Sequence, residues 1–289
     1  MSTFDKKDSV GNSSYELFTK ELVELETSIR IPSLLNFDRN NLESVRLLDE
    51  SVWPDGTHIF AFEDISGNPF SELEPGFSEL DKERFFTIKE AIIYFLTAQY
   101  VNAGLYDKVV LAKSRKSFIN KELKAFFQKG DIHVLIINEK SQIEGYVSLQ
   151  APISRKRIKF GNYKKRELTF VEIIYGKNVY EDFSDLLDAD IESVRLVRRY
   201  VTRVSVKSTD SLHYNIIAIT LLISLLNISN HFPEIKYLIG DTKPNILLNI
   251  ANRLVDSLEF AYLVNKHPKE KNIPDIFKKG IAKSRFTLL

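Results

Sequence analysis

The chain contains no cysteine. Disulfides, thiolate-held zinc, iron–sulfur clusters and a cysteine nucleophile are therefore excluded. Met1 is the only methionine. Histidine is scarce: His58, His133, His213, His231 and His267 are all there are, and no two share a ligand spacing such as H-x-x-x-H. No metal site is expected. His213 reads as a helix-end or core histidine. There is no G-x-G-x-x-G, no Walker loop and no G-x-S-x-G, so nucleotide and serine hydrolysis lack their usual frameworks. Long hydrophobic runs are also missing. The most apolar stretch, Ile216 to Leu226, has eleven residues, too few to span a bilayer, and reads as a buried helix. Residues 1–14 are polar, without an apolar stretch of signal-peptide length, so a cytoplasmic protein without a membrane span is expected.

A strong net charge is absent too, at +1 over 289 residues. That total conceals an uneven distribution. Residues 1–108 hold 20 acidic and 10 basic side chains, and residues 109–289 hold 19 acidic and 30 basic, giving −10 and +11. Either the two parts attract each other or the basic part meets an acidic partner. The apolar content of 44% supplies a core for one large or two small domains.

Hydrophobic spacing predicts helical structure over residues 15–50, interrupted at Pro32, with a second piece at Asn41–Ser51. Trp53-Pro54-Asp55-Gly56, Ser66-Gly67-Asn68-Pro69 and Glu74-Pro75-Gly76 mark a loop region around one short strand, His58–Phe62. Thr87–Ala103 reads as a helix closed by Gly104. Beyond it come a strand at Val109–Ala112, a helix at Ser117–Gln128, and strands at Ile132–Asn138 and Gln142–Ala151 joined by a turn at Glu139-Lys140-Ser141. Strands at Leu168–Tyr175 and Ser193–Val206 precede the apolar helix Leu212–Ile228. A strand at Ile235–Ile239, a helix at Asn245–Val255 and a strand at Leu258–Val264 follow. Ile276, Phe277 and Ile281 would let the basic tail dock as a short helix. The fold class is α/β (α+β): a mixed, mostly antiparallel sheet flanked by helices. Residues 1–108 form an acidic, mainly helical N-terminal domain or extension, and 109–289 the second domain.

This order resembles the GCN5-related N-acetyltransferase (GNAT) fold. Ile143-Glu-Gly-Tyr-Val-Ser-Leu-Gln150 looks like its second core strand, and Ile235 to Leu254 like its later strand–turn–helix unit. Glu192-Ser193-Val194-Arg195-Leu196 resembles the E-x-x-R-F/L stretch of acyl-homoserine-lactone synthases and N-acyl amino acid synthases, which share that fold. Arg115-Lys-Ser-Phe118 is similar to their arginine-plus-aromatic segment. The resemblance covers roughly residues 109–265 and implies an acyltransferase, in its sharpest form a synthase of a quorum-sensing signal. It departs at two places. Where CoA-dependent members carry R/Q-x-x-G-x-G/A, this chain has Arg203-Val-Ser-Val-Lys207-Ser-Thr-Asp-Ser-Leu212. Without glycines the backbone cannot cradle a pyrophosphate closely. A single phosphate, as on phosphopantetheine, suits Arg203, Lys207, Ser208 and Thr209 instead. Where homoserine-lactone synthases have an acidic cluster serving S-adenosylmethionine, only Asp131 and Glu122 lie in the matching region.

Acyl transfer to an amine needs a base and oxyanion donors. Glu192 is the candidate base and Arg195 its candidate partner. Strict alternation places them on opposite sheet faces, and a β-bulge would bring them together. The alternative is a structural ion pair. Arg195, Arg199 and Arg203 recur every four residues and so share one face. That row suits an anion track, or an exposed face paired with carboxylates, and Arg198 points the other way. Ser154 to Arg166 holds seven basic residues around Phe160-Gly161-Asn162-Tyr163. Arg155, Arg157, Lys164, Lys165 and Arg166 are the candidate partner-binding residues, either for an acidic acyl carrier protein or for single-stranded nucleic acid, unless this is simply a solvated hairpin. No tightly bound cofactor is expected, and acyl-phosphopantetheine, on carrier protein or CoA, is the expected donor. The alternative function is a non-catalytic binding protein using the basic surface.

Overall fold

A computed structural model describes residues 20–24, 26–31, 45–65, 88–105, 127–151, 157–203, 211–242, 262–264 and 285–288. Eight strands form one sheet: β1 (Val45–Val52), β2 (His58–Asp64), β3 (Ile132–Ile137), β4 (Ile143–Gln150), β5 (Val194–Thr202), β6 (Tyr237–Thr242), β7 (Tyr262–Val264) and β8 (Arg285–Leu288). Their spatial order is β1-β2-β3-β4-β5-β6-β8-β7. Every pairing is antiparallel except β5 with β6. Besides a helical segment at 20–24 and 26–28, the helices among the described residues are α1 (Ile88–Asn102), α2 (Phe170–Tyr175), α3 (Ser184–Asp188) and α4 (Ser211–His231), with 3₁₀ turns at Lys177–Tyr180 and Ile191–Ser193. The mixed α/β class with a mostly antiparallel sheet is the one expected.

Strand alternation sorts the core onto the two sheet faces. Phe60, Phe62, Leu135, Ile137 and Tyr146 join α1 on one face. Ile59, Ala61, Val134, Ile136, Val147 and Leu149 join α4 on the other. A third cluster packs α2 and its neighbours against Val194, Leu196 and Ile239. Gly145 has its place because α4 lies so close: a Cβ there would come within 2.8 Å of Ile217 Cγ2.

Several expectations need correction. The helix expected at Asn41–Ser51 is replaced by β1, which pairs with β2 from Val45↔Asp64 to Val52↔His58. Trp53-Pro54-Asp55-Gly56 is the turn of that hairpin. Thr57 N–H donates to Asp55 Oδ1 at 2.9 Å, Trp53 N–H to Thr57 O at 2.8 Å, and Gly56 takes φ 84°, which glycine adopts without strain. On its other edge β2 pairs with β3, beyond residue 108, from His58↔Ile137 to Glu63↔Ile132.

The strand expected at Leu168–Tyr175 is helix α2. Thr169 caps it in a full capping box: its Oγ1 accepts from Glu172 N–H, and Glu172 accepts from Thr169 N–H. Local β propensity gives way to that cap and to burial of Val171 and Ile174. Residues 285–288, in the tail expected to dock as a helix, form β8 between β6 and β7. The strand expected at Val109–Ala112, the helix expected at Asn245–Val255, Ile276, Phe277 and Ile281, and all but the last two residues of the helix expected at Ser117–Gln128 lie outside the described residues. No helix among the described residues is long and apolar enough to cross a membrane.

Candidate functional site

β5 and β6 pair in parallel through only three positions, Val194↔Tyr237, Arg195↔Leu238 and Leu196↔Ile239. Beyond them β5 continues against β4 and β6 against β8, so the two strands part. Gly240 sits at the closing point of this V, where an added Cβ would lie 3.2 Å from Val197 O. On β5 the register steps from Tyr146↔Val201 to Ser148↔Arg198, setting Arg199 and Tyr200 against Val147 alone. Arg199 has φ 57°. This is a β-bulge, which sharpens the twist of β5 as it leaves β6. The fold is GNAT-like.

No protein-family model matches the chain, and no curated protein sequence does. Among solved structures, the AHL synthase LasI aligns over 55% of this chain and 64% of its own, at 14% identity and TM-score 0.34. The chain thus matches less than two thirds of that protein's length. The strand order and the parting of β5 from β6, rather than this likeness, carry the fold assignment.

The bulge also breaks the expected row of arginines. Arg199 lies over the Tyr100 ring at 5.4 Å and Arg203 over Phe95 at 5.5 Å, both on α1. Arg195 instead pairs with Leu238, which belongs to the cluster under α4. Two residues opposing one reverse the alternation, so spacing by four no longer means a shared face.

Glu192 lies in the 3₁₀ turn before β5 and is partly exposed. Arg195, only 8% exposed, donates Nη1–H to the Glu192 carbonyl at 2.5 Å and to Val194 O at 3.2 Å. The proximity expected of this pair is present, but through the Glu192 backbone and not its carboxylate. Among the described residues Arg195 Nε has no hydrogen-bond partner. Burial pulls its pKa down, while Glu234 and then Glu192 act in the opposite direction.

Arg203, expected to hold a phosphate, is held by the N-terminal helical segment. It donates to both Glu26 oxygens at 3.0 and 2.6 Å and, through Nε, to Ile143 O at 2.8 Å. Burial raises the Glu26 pKa against the opposing pull of Arg203. Here the negative and positive parts of the chain meet directly. Lys207, Ser208 and Thr209 lie outside the described residues.

In the basic stretch, Arg157, Lys164 and Lys165 are exposed, and Arg155 lies outside the described residues. Arg166 is not a surface residue. It and Glu172 are fully buried, joined at 2.7 and 2.5 Å. Its guanidinium also donates to Phe160 O at 2.5 Å and lies over the Phe160 ring at 4.2 Å. The Phe160–Tyr163 turn folds around this ion pair, which removes Arg166 from any docking surface.

Two cavities flank the start of β5. An apolar cleft of about 20 Å³ is lined by Phe160, Ile191, Val194, Leu196 and Ile239. As it stands it holds about one water. A charged groove of about 590 Å³ is lined by Glu192, Ser193, Tyr237, residues of α3 and the Arg157–Lys159 segment. The turn carrying Ile191 and Glu192 separates them. The sequence reading missed the groove residues Asp188, Glu234 and Lys236, which sit in no motif.

It also missed a buried polar chain under α1. Lys89 Nζ meets Asp64 at 2.8 Å with both side chains fully buried. His133 Nδ1 lies 2.8 Å from Tyr146 Oη. Burial moves Asp131 up to about 7, opposed by N–H donation from Ala151 and Gln128. Burial and Lys89 move His133 down to about 3.

Proposed function

We propose that this protein is an N-acyltransferase that moves an acyl group from an acyl carrier protein or acyl-CoA to a small amine, making an N-acyl product of the kind used in signalling. The observation that carries this reading is the parting of β5 from β6 after Leu196↔Ile239, beside the bulge at Arg199. Parted parallel strands leave backbone N–H and C=O groups without a strand partner along the gap. An extended pantetheine arm supplies matching amides, and a backbone N–H pointing into the gap is a donor for a developing oxyanion.

In the proposed reaction the amine nitrogen attacks the thioester carbonyl. A C–N bond forms, the C–S bond breaks, and the thiol leaves. Glu192 takes the proton lost by the amine and passes it to the departing sulfur, which leaves as the thiol. Arg195 positions Glu192 by gripping its backbone carbonyl. The apolar cleft at Leu196 and Ile239 receives the first carbons of the acyl chain. Arg157, Lys164 and Lys165 form the exposed cationic surface for an acidic carrier protein.

The test is mass spectrometry of N-acylated small molecules in cells making the wild-type chain or Glu192→Gln. The wild type should accumulate at least one such product, and the variant should lose it. Equal profiles would refute the synthase reading. The exposed Arg157, Lys164 and Lys165 also favour a second reading, non-catalytic binding of nucleic acid or an acidic protein. Salt-sensitive binding that survives Glu192→Gln would identify it.

A further inference from the structure

The 21-residue helix α4 contains no Asp, Glu, Lys or Arg, in a chain of which 27% is charged. Its inner face is fixed on the sheet. Ile217, Leu221, Leu225 and Ile228 are buried in the cluster beneath it, and at Gly145 the helix comes so close that an added Cβ would meet Ile217 Cγ2 at 2.8 Å. Tyr200 Oη, at the bulge of β5, also donates to Ala218 O in the middle of the helix. These contacts hold α4 against rotation about its axis, so the residues opposite them point away from the sheet. They are Ile216, 41% exposed, Ile223, 43% exposed, and the half-buried Ile219, followed by the exposed Asn227. α1 is also apolar, but it is buried on every side from Ala91 to Gln99, and Leu22, Ile29 and Ile31 of the N-terminal segment share its cluster. Among the described residues nothing comparable covers the outer stripe of α4, and a helix that is apolar all round is ordinarily a covered one.

The spacing of the stripe points to its cover. Ile216, Ile219 and Ile223 are three and four residues apart, and the sequence continues that alternation to Leu212 and Leu226. A mean period of 3.5 residues keeps one seam turned toward a partner helix. From Ile216 to Leu226 the pattern also reads the same in both directions about Leu221. An antiparallel copy of α4 therefore matches it in register, with Ile219 level with Ile223 of the copy and position 216 level with 226. Such a twofold contact is self-complementary. No charge on the helix opposes it, and a net charge of +1 leaves little repulsion between whole chains. Nucleic acid or an acidic protein would find no Lys or Arg on this helix. We propose that the outer face of α4 is a homodimer interface, in which the helix packs antiparallel on α4 of a second copy. A strip about 30 Å long and about 10 Å wide is well short of the roughly 800 Å² per partner of a stable interface, so the dimer is reversible and its population follows concentration. It forms whether or not the chain is an acyltransferase. Through Tyr200 on Ala218 O it adjoins the bulge where β5 leaves β6.

Sedimentation equilibrium of the full chain, from about 1 to about 300 μM, tests this. The wild type should pass from monomer to dimer across that range. Ile223→Glu and Ile223→Lys should each weaken the dimer twentyfold or more, because both copies then bring like charges beside the twofold axis. An equimolar mixture of the two variants should dimerise within fivefold of wild type, because opposite charges now meet. Val52→Glu, at a residue 57% exposed on β1, should leave the dimer within threefold of wild type. At the lowest concentration, circular dichroism and urea midpoints of both Ile223 variants should match wild type, since the side chain replaced is exposed in the monomer. A wild type still monomeric at the highest concentration, a dimer unmoved by either Ile223 variant, a mixture as weak as the single variants, or an equal loss in Val52→Glu would each overturn the proposal. A monomeric wild type whose urea midpoint falls with Ile223→Glu would also overturn it, and would assign the cover to a segment of the same chain.

Discussion

Arg166→Met gives the sharpest test of where the basic stretch belongs. If Arg166 were a docking residue on a solvated hairpin, its loss would leave stability within about 0.5 kcal/mol of wild type. The structure gives it four donations: two to Glu172, one to Phe160 O and one to Glu167 O at 2.8 Å. Methionine keeps the aliphatic stem and removes all four. Glu172 is then a carboxylate only 1% exposed, left with Thr169 N–H at 2.7 Å as its donor. Breaking one side of a buried pair costs about 3–5 kcal/mol, a large part of the roughly 5–15 kcal/mol that holds a typical domain folded. The double variant Arg166→Met/Glu172→Met leaves no orphan charge and should recover part of the loss. It keeps the Thr169 cap and lacks only the reciprocal Glu172 half of the capping box. Urea unfolding followed by far-ultraviolet circular dichroism would rank wild type first, the double variant second and Arg166→Met last, with unchanged m-values. Lys164→Ala and Lys165→Ala should sit within about 0.5 kcal/mol of wild type. An Arg166→Met loss below about 1 kcal/mol, or a double variant no more stable than the single, would refute the buried-pair argument.

Two further perturbations follow from the packing. Gly145→Ala puts a methyl group 2.8 Å from Ile217 Cγ2 and 3.1 Å from Leu221 Cδ1, so α4 must move or the side chains must leave their rotamers. The strain of about 1–3 kcal/mol exceeds the roughly 0.4–1 kcal/mol gained by restricting the unfolded chain. Urea midpoints should fall, and a rise would contradict the close approach. The buried titratable groups give opposed pH slopes. Asp131, raised to about 7, binds more proton in the folded state, so its contribution falls as pH rises from about 4 to 7. His133, lowered to about 3, binds more proton when unfolded, so its contribution rises with pH from about 3 to 6.5. Between pH 4 and 6.5, Asp131→Asn should make the stability–pH profile rise more steeply than wild type, and His133→Phe should tilt it downward. Profiles shifted the other way would reverse the assignment.

Much of the fold was legible because its strongest signals are local. Ile132–Asn138 and Gln142–Ala151 read as strands from β-branched runs around a turn, and both formed nearly as expected. α1 and α4 read as helices from apolar-rich stretches between breakers. The errors arose where tertiary pairing or a single cap decided the outcome. Nothing in Val45–Val52 announces a strand until β2 offers its open edge. The Trp53–Gly56 turn is visible in the sequence, but turn residues alone do not tell a hairpin from a loop. Thr169-x-x-Glu172 was a legible capping box, overlooked beneath Leu168-Thr-Phe-Val-Glu-Ile-Ile. Glu192 and Arg195 stand out by motif, and the structure sets the Arg195 guanidinium on the Glu192 carbonyl. The bulge at Arg199 was anticipated as a type of feature, but its position was not, and so the arginine row was placed on one face. Glu234 and Lys236 gave no signal, because a groove built from four separate elements has no sequence spacing.

The order β6-β8-β7 has a consequence for how the molecule is made. Among the described residues β7 pairs only with β8, and β8 comes later in the chain by more than twenty residues. During synthesis at about 5–20 residues per second, residues 262–264 therefore emerge before β8, the strand that receives them. Until 285–288 follow, β6 keeps an open edge on the side away from β5, and the sheet must be finished by insertion and not by addition. That interval exposes a strand edge to other nascent chains, so vectorial synthesis leaves the β6 side of the sheet as its last and most vulnerable part to close.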